Sequence, residues 1–320
     1  MNRFHFLIAG LLGLLGLLGL LLFVTGCENE PPPVAVDLTH QSRVTAGTTP
    51  TSANTETLRL GIGSMITPKD GYIYYRRLTD YLEKRLERPV TIVDRGTYRE
   101  FNNLLASGGL DVAFVCGGPY VEGHADFNLK LLVVPQTPGG ETVYYSYLIV
   151  PATSSVRSLG DLRGGKFAFT DPQSNTGYLV PSYMLARLEE TPVNFFGEII
   201  YTYAHDKSIH AVAAGKVDGA AVDSLIYDYL AKSDPELVNK IRILSKSHPY
   251  GIPPVVVRPD LPEDEQSRLR QILLTMHDDP EGQSILSGMM IGRFVISDDA
   301  SYDGIREIEA FIRQSQNTGR

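Results

Sequence analysis

Apolar residues recur along this chain in two alternating rhythms. Thr57-Leu58-Arg59-Leu60-Gly61-Ile62-Gly63 alternates residue by residue and predicts a strand that ends in glycines. Tyr75, Leu78, Leu82 and Leu86 then recur at helical spacing and predict an amphipathic helix over 72–86. The pair repeats as a strand at 89–93, a helix at 98–106 closed by Gly108-Gly109, and a strand at 110–115. Gly117-Gly118-Pro119-Tyr120 reads as a tight turn ahead of a short helix. Strands are expected at 130–135 and 144–150, around the turn Thr137-Pro138-Gly139-Gly140, and a short helix follows at 158–166. A second alternation runs through strand 166–170, helix 177–188, strand 198–203, helix 206–214, strand 219–222, helix 224–231 and strand 241–245. Residues 249–254 interrupt it, 255–257 resume as a strand, and the tail carries helical patterns at 262–277, 280–288 and 301–315.

This alternation predicts an α/β fold of parallel sheets covered by helices. Its order divides the chain into two lobes, residues 57–147 with 256–320 as one and 148–255 as the other. The chain would leave the first lobe near 147–152 and return near 248–256. Two crossings make a hinge, and the cleft between such lobes is a favoured place for a small ligand.

The N-terminus follows neither rhythm. Arg3 precedes an apolar stretch from Phe4 to Val24, and Val24-Thr25-Gly26-Cys27 then gives way to polar sequence. A basic start, an apolar core and small residues before a cut describe a secretory signal over 1–26. The Val-Thr-Gly-Cys ending resembles a bacterial lipobox, which implies cleavage before Cys27 and a lipid on its sulfur. An uncleaved transmembrane anchor is the alternative, because the apolar run is nearly long enough to span a bilayer. Either way the remainder is expected outside the cytoplasm, as a membrane-anchored protein of the periplasm or cell surface. From Cys27 to residue 56 the sequence is rich in Pro, Thr, Ser and Ala and has almost no large apolar residue, which predicts a disordered tether. A chain of that length has an r.m.s. span of roughly 30 Å.

Over its 320 residues the chain is 43% hydrophobic and 21% charged, enough for two cored lobes. Without residues 1–26 it carries 28 basic against 37 acidic side chains, a balance of −9. That excludes a nucleic-acid partner, which needs a basic face. It does not exclude a small anion, which N–H and O–H dipoles can hold whatever the surface charge. Cys27 and Cys116 are the only cysteines, so a lipidated Cys27 leaves no internal disulfide. Cys116 ends the apolar run Val112-Ala113-Phe114-Val115 and reads as an inert buried thiol. A nucleophilic role would need a base that the sequence does not place beside it.

The chemistry concentrates in Asp171-Pro172-Gln173-Ser174-Asn175-Thr176-Gly177-Tyr178-Leu179-Val180-Pro181, between the strand at 166–170 and the helix that follows. Ser174, Asn175 and Thr176 are all N-cap residue types. A helix start also leaves several N–H groups without partners at the positive end of its dipole, which together make an anion site. The plainer reading is that one of the three caps the helix while the others face water.

Several stretches, in order, resemble the phosphate/phosphite/phosphonate-binding proteins of ABC importers, in particular their aminophosphonate-binding-protein-like group. They are Leu82-Glu83-Lys84-Arg85-Leu86, Tyr98, Gly108 with Asp111-Val112-Ala113-Phe114, the Asp171 to Pro181 stretch, Ala204-His205-Asp206, Ala211-Val212-Ala213-Ala214-Gly215-Lys216-Val217-Asp218, and Ser247-His248-Pro249. The resemblance implies a two-lobed type II periplasmic-binding-protein fold with a hinge. It also implies an oxyanion held at the helix start of Ser174, Asn175, Thr176 and Gly177 and by His205, with Tyr98 as a cleft tyrosine. Alone, His205 reads as a satisfied histidine at a helix start beside Asp206, and Tyr98 reads equally as helix packing. The Asn175 amide can donate, but its oxygen would repel a phosphate oxygen. Asp223 is a candidate partner for an amine or an N-cap for the helix at 224. Residues 250–254 and Leu225 offer no carboxylate for an ammonium group, and Val115-Cys116 replaces an aromatic common there, which favours an inorganic oxyanion or a small alkylphosphonate.

The expected role is a monomeric solute receptor that delivers a small oxyanion to an ABC permease and its ATPase, without covalent chemistry. A sensing protein that docks on a membrane kinase or receptor is the alternative use of the same fold. A hydrolase acting through Cys116 or His205 is a third reading, from the enzyme class. No cofactor or metal is expected, since the seven histidines are scattered and His205 and His210, five apart, do not share a helical face. Gly165-Lys166-Phe167 lacks the Ser or Thr of a nucleotide phosphate loop, and no Gly-x-Ser-x-Gly elbow occurs.

Overall fold

The computed structural model describes residues 57–63, 71–94 and 96–318; the signal segment, Cys27 and the tether of 27–56, but for Thr57 onward, lie outside the described residues. The chain enters through β1 (Leu58–Ile62), α1 (Gly71–Leu86), β2 (Val90–Val93), α2 (Tyr98–Ala106), β3 (Val112–Phe114), α3 (Gly117–Phe127) and β4 (Lys130–Gln136). After β5 (Val143–Tyr144) come β6 (Ser146–Pro151), β7 (Lys166–Phe169), α4 (Val180–Ala186), α5 (Pro192–Phe195), β8 (Glu198–Tyr201), α6 (His205–Ala213), β9 (Gly219–Asp223), α7 (Ser224–Ser233), α8 (Pro235–Val238) and β10 (Ile241–Lys246). The chain returns through β11 (Tyr250–Gly251) and β12 (Val255–Val257), then ends in α9 (Glu263–Thr275), α10 (Pro280–Gly288), β13 (Arg293–Val295) and α11 (Asp303–Thr318).

Ala53–Arg320 form one compact unit that holds two main sheets. The first is ordered β13-β4-β12-β3-β1-β2 and the second β10-β6-β9-β7-β8. Both are mixed, where the strand–helix alternation predicts parallel pairing throughout. β1 runs parallel to β2 and β3, and β7 parallel to β8 and β9, as helical crossovers require. β12 and β6 run against their neighbours. These two strands arrive from the other lobe without a helix to turn the chain back, so they enter their sheets in the opposite sense.

Period-two sequence places side chains on both faces of each sheet. In the second sheet Leu148, Val150, Phe167, Phe169 and Ala221 pack with Leu185, Phe195 and Phe196 on one face. Their neighbours Tyr147, Ile149, Ala168, Ala220 and Val222 pack with Ile209, Val212 and Ile226 on the other. In the first sheet Leu58, Leu60 and Ile62 meet Leu78, Leu82, Leu269 and Leu273. The opposite face brings Phe101, Leu105 and Ala113 together with Tyr302 and Ile305, and this core extends to Val180 from the second lobe.

The first of the two crossings falls earlier than expected. Ser146 and Tyr147 already pair with Asp223 and Val222 in the second sheet, while Tyr144 pairs with Tyr250 in a two-stranded link. The strand expected over 144–150 is therefore broken at Tyr145, whose N–H goes to Ser224 Oγ at 3.0 Å instead of a ladder partner. On the return, Val255 pairs with Phe114 and so belongs to the first sheet, not to the second lobe. Gly117-Gly118-Pro119-Tyr120 is the first turn of α3, not a turn ahead of it. Proline fits there because first-turn N–H groups have no intrahelical partner to lose. α11 packs on both lobes, with the Phe311 ring 5.1 Å from that of Tyr183 on the face of α4.

Candidate ligand-binding site

Asn175 opens a helix in the structure, but its first turn is a π turn over Asn175–Leu179 that runs on into α4. Ser174 caps it: its hydroxyl oxygen accepts the Gly177 N–H at 3.0 Å, which leaves the hydroxyl hydrogen free to donate. Gly177 presses on Thr170, and a Cβ there would overlap the Thr170 hydroxyl, so the turn closes only around glycine. Ser174, Asn175, Thr176 and His205 are completely buried, and Asp223 with them.

Among the described residues eleven buried polar side-chain atoms have no hydrogen-bond partner, and five of them lie on the candidate residues. Thr176 Oγ1, His205 Nε2, Asp223 Oδ2, Asn175 Oδ1 and Tyr98 Oη are enclosed and make no hydrogen bond. Such atoms are rare in native proteins, and each leaves a desolvation cost of about 1–3 kcal/mol uncompensated. Here they belong to residues linked by direct contacts. Thr170 Oγ1 lies 3.1 Å from His205 Nδ1, and the Asp223 N–H donates to the same nitrogen at 3.0 Å. Asn175 Nδ2 donates to Tyr144 Oη at 3.0 Å, and Tyr144 Oη lies 3.6 Å from Cys116 Sγ. Tyr98 Oη sits beside the same thiol without forming a hydrogen bond of normal geometry.

These contacts fix the chemistry of each group. An N–H aimed at His205 Nδ1 makes that nitrogen an acceptor, so the proton is on Nε2, the atom without a partner. Burial lowers the His205 pKa to about 3, so the ring is neutral and offers one N–H. Burial also raises the phenols of Tyr98 and Tyr144 well above their ordinary value, which keeps both as donors. The Cys116 thiol is raised by burial as well, so it is a thiol and not a thiolate nucleophile. Asp223 differs: burial pushes its carboxyl up to about 7, although the Leu225 and Ile226 N–H groups hold it down. Its Oδ1 caps α7 by accepting the Leu225 N–H at 2.7 Å, which leaves Oδ2 for another partner. The cap thus uses one oxygen of the carboxyl and leaves the other enclosed without a partner.

The structure brings Ser174, Asn175, Thr176, Gly177, His205 and Asp223 together at the ends of β7 and β9, and adds Tyr98 from the first lobe. Asn175 is turned to the hinge wall, with its amide spent on Tyr144. Thr170 and Tyr144 are the residues that sequence reasoning missed. Thr170 carried one usable signal, its place just after a strand, where α/β folds collect site residues. Tyr144 carried none, because its role depends on the link between β5 and β11. Among the described residues no group of three or more His, Cys, Asp or Glu side chains is placed to hold a metal.

Residues 60–302 match the family described as ABC transporter, phosphonate, periplasmic substrate-binding protein. The chain is 27% identical over 176 residues to the phosphonates-binding periplasmic protein of Escherichia coli K12, covering 54% of this chain and 52% of that one. It is 31% identical over 166 residues to the phosphate-import protein PhnD of Mycolicibacterium smegmatis, covering 48% of this chain and 50% of that one. The chain thus spans about half the length of the curated relatives it matches. Among solved structures, a binding protein component of an ABC phosphonate transporter from Pseudomonas aeruginosa superposes with a TM-score of 0.77 at 22% identity, over 83% of this chain and 90% of that one. PhnD1 of Prochlorococcus marinus, in complex with methylphosphonate, gives 0.72 at 19% identity over 81% and 99%. These likenesses carry the two-lobed fold of type II periplasmic binding proteins, and the family match decides the membership: the chain belongs to the periplasmic substrate-binding proteins of phosphonate ABC transporters.

Proposed function

We propose that this protein is an extracytoplasmic solute-binding lipoprotein that captures a phosphorus oxyanion and hands it to an ABC permease with its ATPase. Phosphate, phosphite and a small phosphonate are the candidate ligands. The observation that carries the reading is the set of enclosed polar atoms without partners on Tyr98, Thr176, His205 and Asp223. A tetrahedral anion bound there would accept from Tyr98 Oη, Thr176 Oγ1, His205 Nε2 and the Ser174 hydroxyl. Hydrogen bonds to a charged group contribute roughly 1.5–3 kcal/mol each. A micromolar ligand needs about −8 kcal/mol net, so a few such bonds suffice after ordering costs.

Asp223 sets the selectivity. A carboxyl next to a bound oxyanion is stable only with one proton between them, carried by either partner. Phosphate, phosphite and alkylphosphonates keep a proton near neutrality and can bring it to the carboxylate. Sulfate has none to offer and competes only where Asp223 itself holds the proton, which is disfavoured above about 7. Lipidation of Cys27 would hold the protein at the membrane, and the named relatives are binding components of transporters, not enzymes.

Calorimetry against phosphate, phosphite, methylphosphonate, 2-aminoethylphosphonate and sulfate tests the reading. Tight binding of at least one phosphorus oxyanion and rejection of sulfate are expected, and binding of none would overturn it. With the tightest of these ligands, Ser174→Ala and His205→Ala are each expected to weaken binding about tenfold or more. Unchanged affinity in both variants would move the site elsewhere.

A further inference from the structure

The Asp171-Pro172 pair stands at the head of the site stretch, yet its carboxylate has no place among the groups that would face the anion. The contacts of Asp171 give it a different place. Oδ1 accepts the Gln173 N–H of its own turn at 2.8 Å, since Pro172 between them has no N–H to give. Oδ2 reaches across the cleft and accepts the Tyr98 N–H at 3.1 Å. Tyr98 is the first residue of α2, and its N–H is one of the donors a helix start leaves unpaired. Thr97 and Glu100 form a capping box on the same turn, so the helix does not depend on Asp171 for its own N-cap. The bond therefore joins the lobes, and it is buried: Asp171 is only 3% exposed.

The surroundings of this bond are built for close approach of the two lobes. Gly118, in the first turn of α3, lies against the Gln173 carbonyl so closely that a Cβ would collide with it. Glu122, one turn further along α3, accepts from Gln173 Nε2. The loop of residues 171–173 thus touches two first-lobe helices through Tyr98, Gly118 and Glu122. The loop continues directly into Ser174, the start of the candidate anion site, while the residue it grips presents its phenol to that site.

We propose that Asp171 is a positioning residue that couples anion capture to lobe closure, by drawing the N-terminus of α2 and with it Tyr98 onto the ligand. The role rests on the oxyanion reading for its purpose, and on the buried bond between Asp171 Oδ2 and the Tyr98 N–H for its geometry. Its loss would let the lobes part at this seam, which exposes Cys116, a thiol enclosed between Tyr98, Tyr144 and the Asn175 backbone. The effect would be on how long a ligand is held more than on how fast it arrives.

The test uses the full chain and Asp171→Ala. Alkylation of Cys116 by N-ethylmaleimide is followed without ligand by mass spectrometry of its peptide, which separates it from Cys27. Methylphosphonate and phosphate dissociation are measured beside it. Labelling of Cys116 about tenfold faster and ligand release about tenfold faster, with little change in association rate, are expected for the loss of one buried charge-assisted bond. Asp111→Asn, which weakens the fold away from the seam, is expected to leave the labelling rate near that of the wild type. A folded Asp171→Ala with the wild-type labelling rate overturns the proposal. If that variant does not fold, Asp171→Leu, of similar size but with no acceptor for the Tyr98 N–H, decides by the same criterion. If the wild type binds neither probe, the oxyanion reading falls, while the labelling experiment still decides the closure role.

Discussion

His205 and Asp223 are adjacent, both completely buried, and burial pushes their pKa values in opposite directions, to about 3 and about 7. The imidazole is neutral above about 3, so it donates from Nε2 across the whole working range and contributes no titration step there. The carboxyl crosses its ionisation near neutrality. Because its pKa is raised, the protonated form is the one favoured below about 7. Above that value the ligand must bring the shared proton, and once the ligand has lost its own, binding must take one up from solution. Affinity for methylphosphonate is expected to fall as pH rises beyond about 7, with a slope approaching tenfold per pH unit. Asp223→Asn, which cannot ionise, is expected to flatten that limb; calorimetry from about pH 5 to about pH 9 checks both. A profile of equal steepness in the variant would assign the proton to another group.

At the scale of elements, the first sheet is fastened by a carboxylate between Arg59 of β1 and Arg258, the residue after β12. Asp111 takes the Arg59 N–H at 2.8 Å, the Arg59 guanidinium at 2.8 and 3.0 Å, and Arg258 Nε at 3.0 Å. Burial alone would raise its pKa, but the hydrogen bonds from Arg59 and Arg258 outweigh this and lower it below 3.8. A carboxyl lowered by folding adds stability that is complete above its ordinary value and is lost as pH falls through the lowered one. Asp111→Asn is expected to cost about 2 kcal/mol near neutrality, less than a fully buried pair because both guanidinium groups keep some water. Denaturant titrations should show the gap between variant and wild type closing in acid; a constant gap would mean that lost packing, not charge, is responsible. The strand and helix periods found most of these elements. They missed β13 and the short α5 and α8, because three or four residues are too few to show a period.

On the scale of the whole molecule, the lobes are joined by two crossings set side by side. Ser146 N–H donates to Ser247 Oγ at 2.9 Å, and Ser247 N–H to the Ser146 carbonyl at 3.0 Å. α11 adds a third connection, and its apolar face was legible as a helix without any sign that it would cover both lobes. Among the described residues no helix is long and apolar enough to cross a membrane. On the proposed reading, attachment falls to the segment that ends at Cys27. The mature N-terminal peptide is expected to begin at Cys27 and to carry a lipid mass that Cys27→Ser abolishes, read by mass spectrometry of that peptide. An N-terminal peptide that begins upstream of Cys27 and carries no lipid would favour an uncleaved anchor.

The sequence by itself determined the α/β alternation, the helix start at Ser174–Gly177 and the candidate residues from both lobes, because backbone period and capping chemistry are local properties. Local sequence could not decide between a capping and a binding role for Ser174, His205 or Asp223. The proposed binding role rests on the atoms that burial leaves without partners on His205 and Asp223, and on the approach of residues far apart in the chain. Only the tertiary structure aimed the Asp223 N–H at His205 Nδ1 and so fixed the free proton on Nε2. It alone turned Asn175 toward Tyr144 and set Asp171 against Tyr98 across the cleft. Those contacts depend on where β6 and β12 cross between the sheets, and no pattern of neighbouring residues encodes that distance.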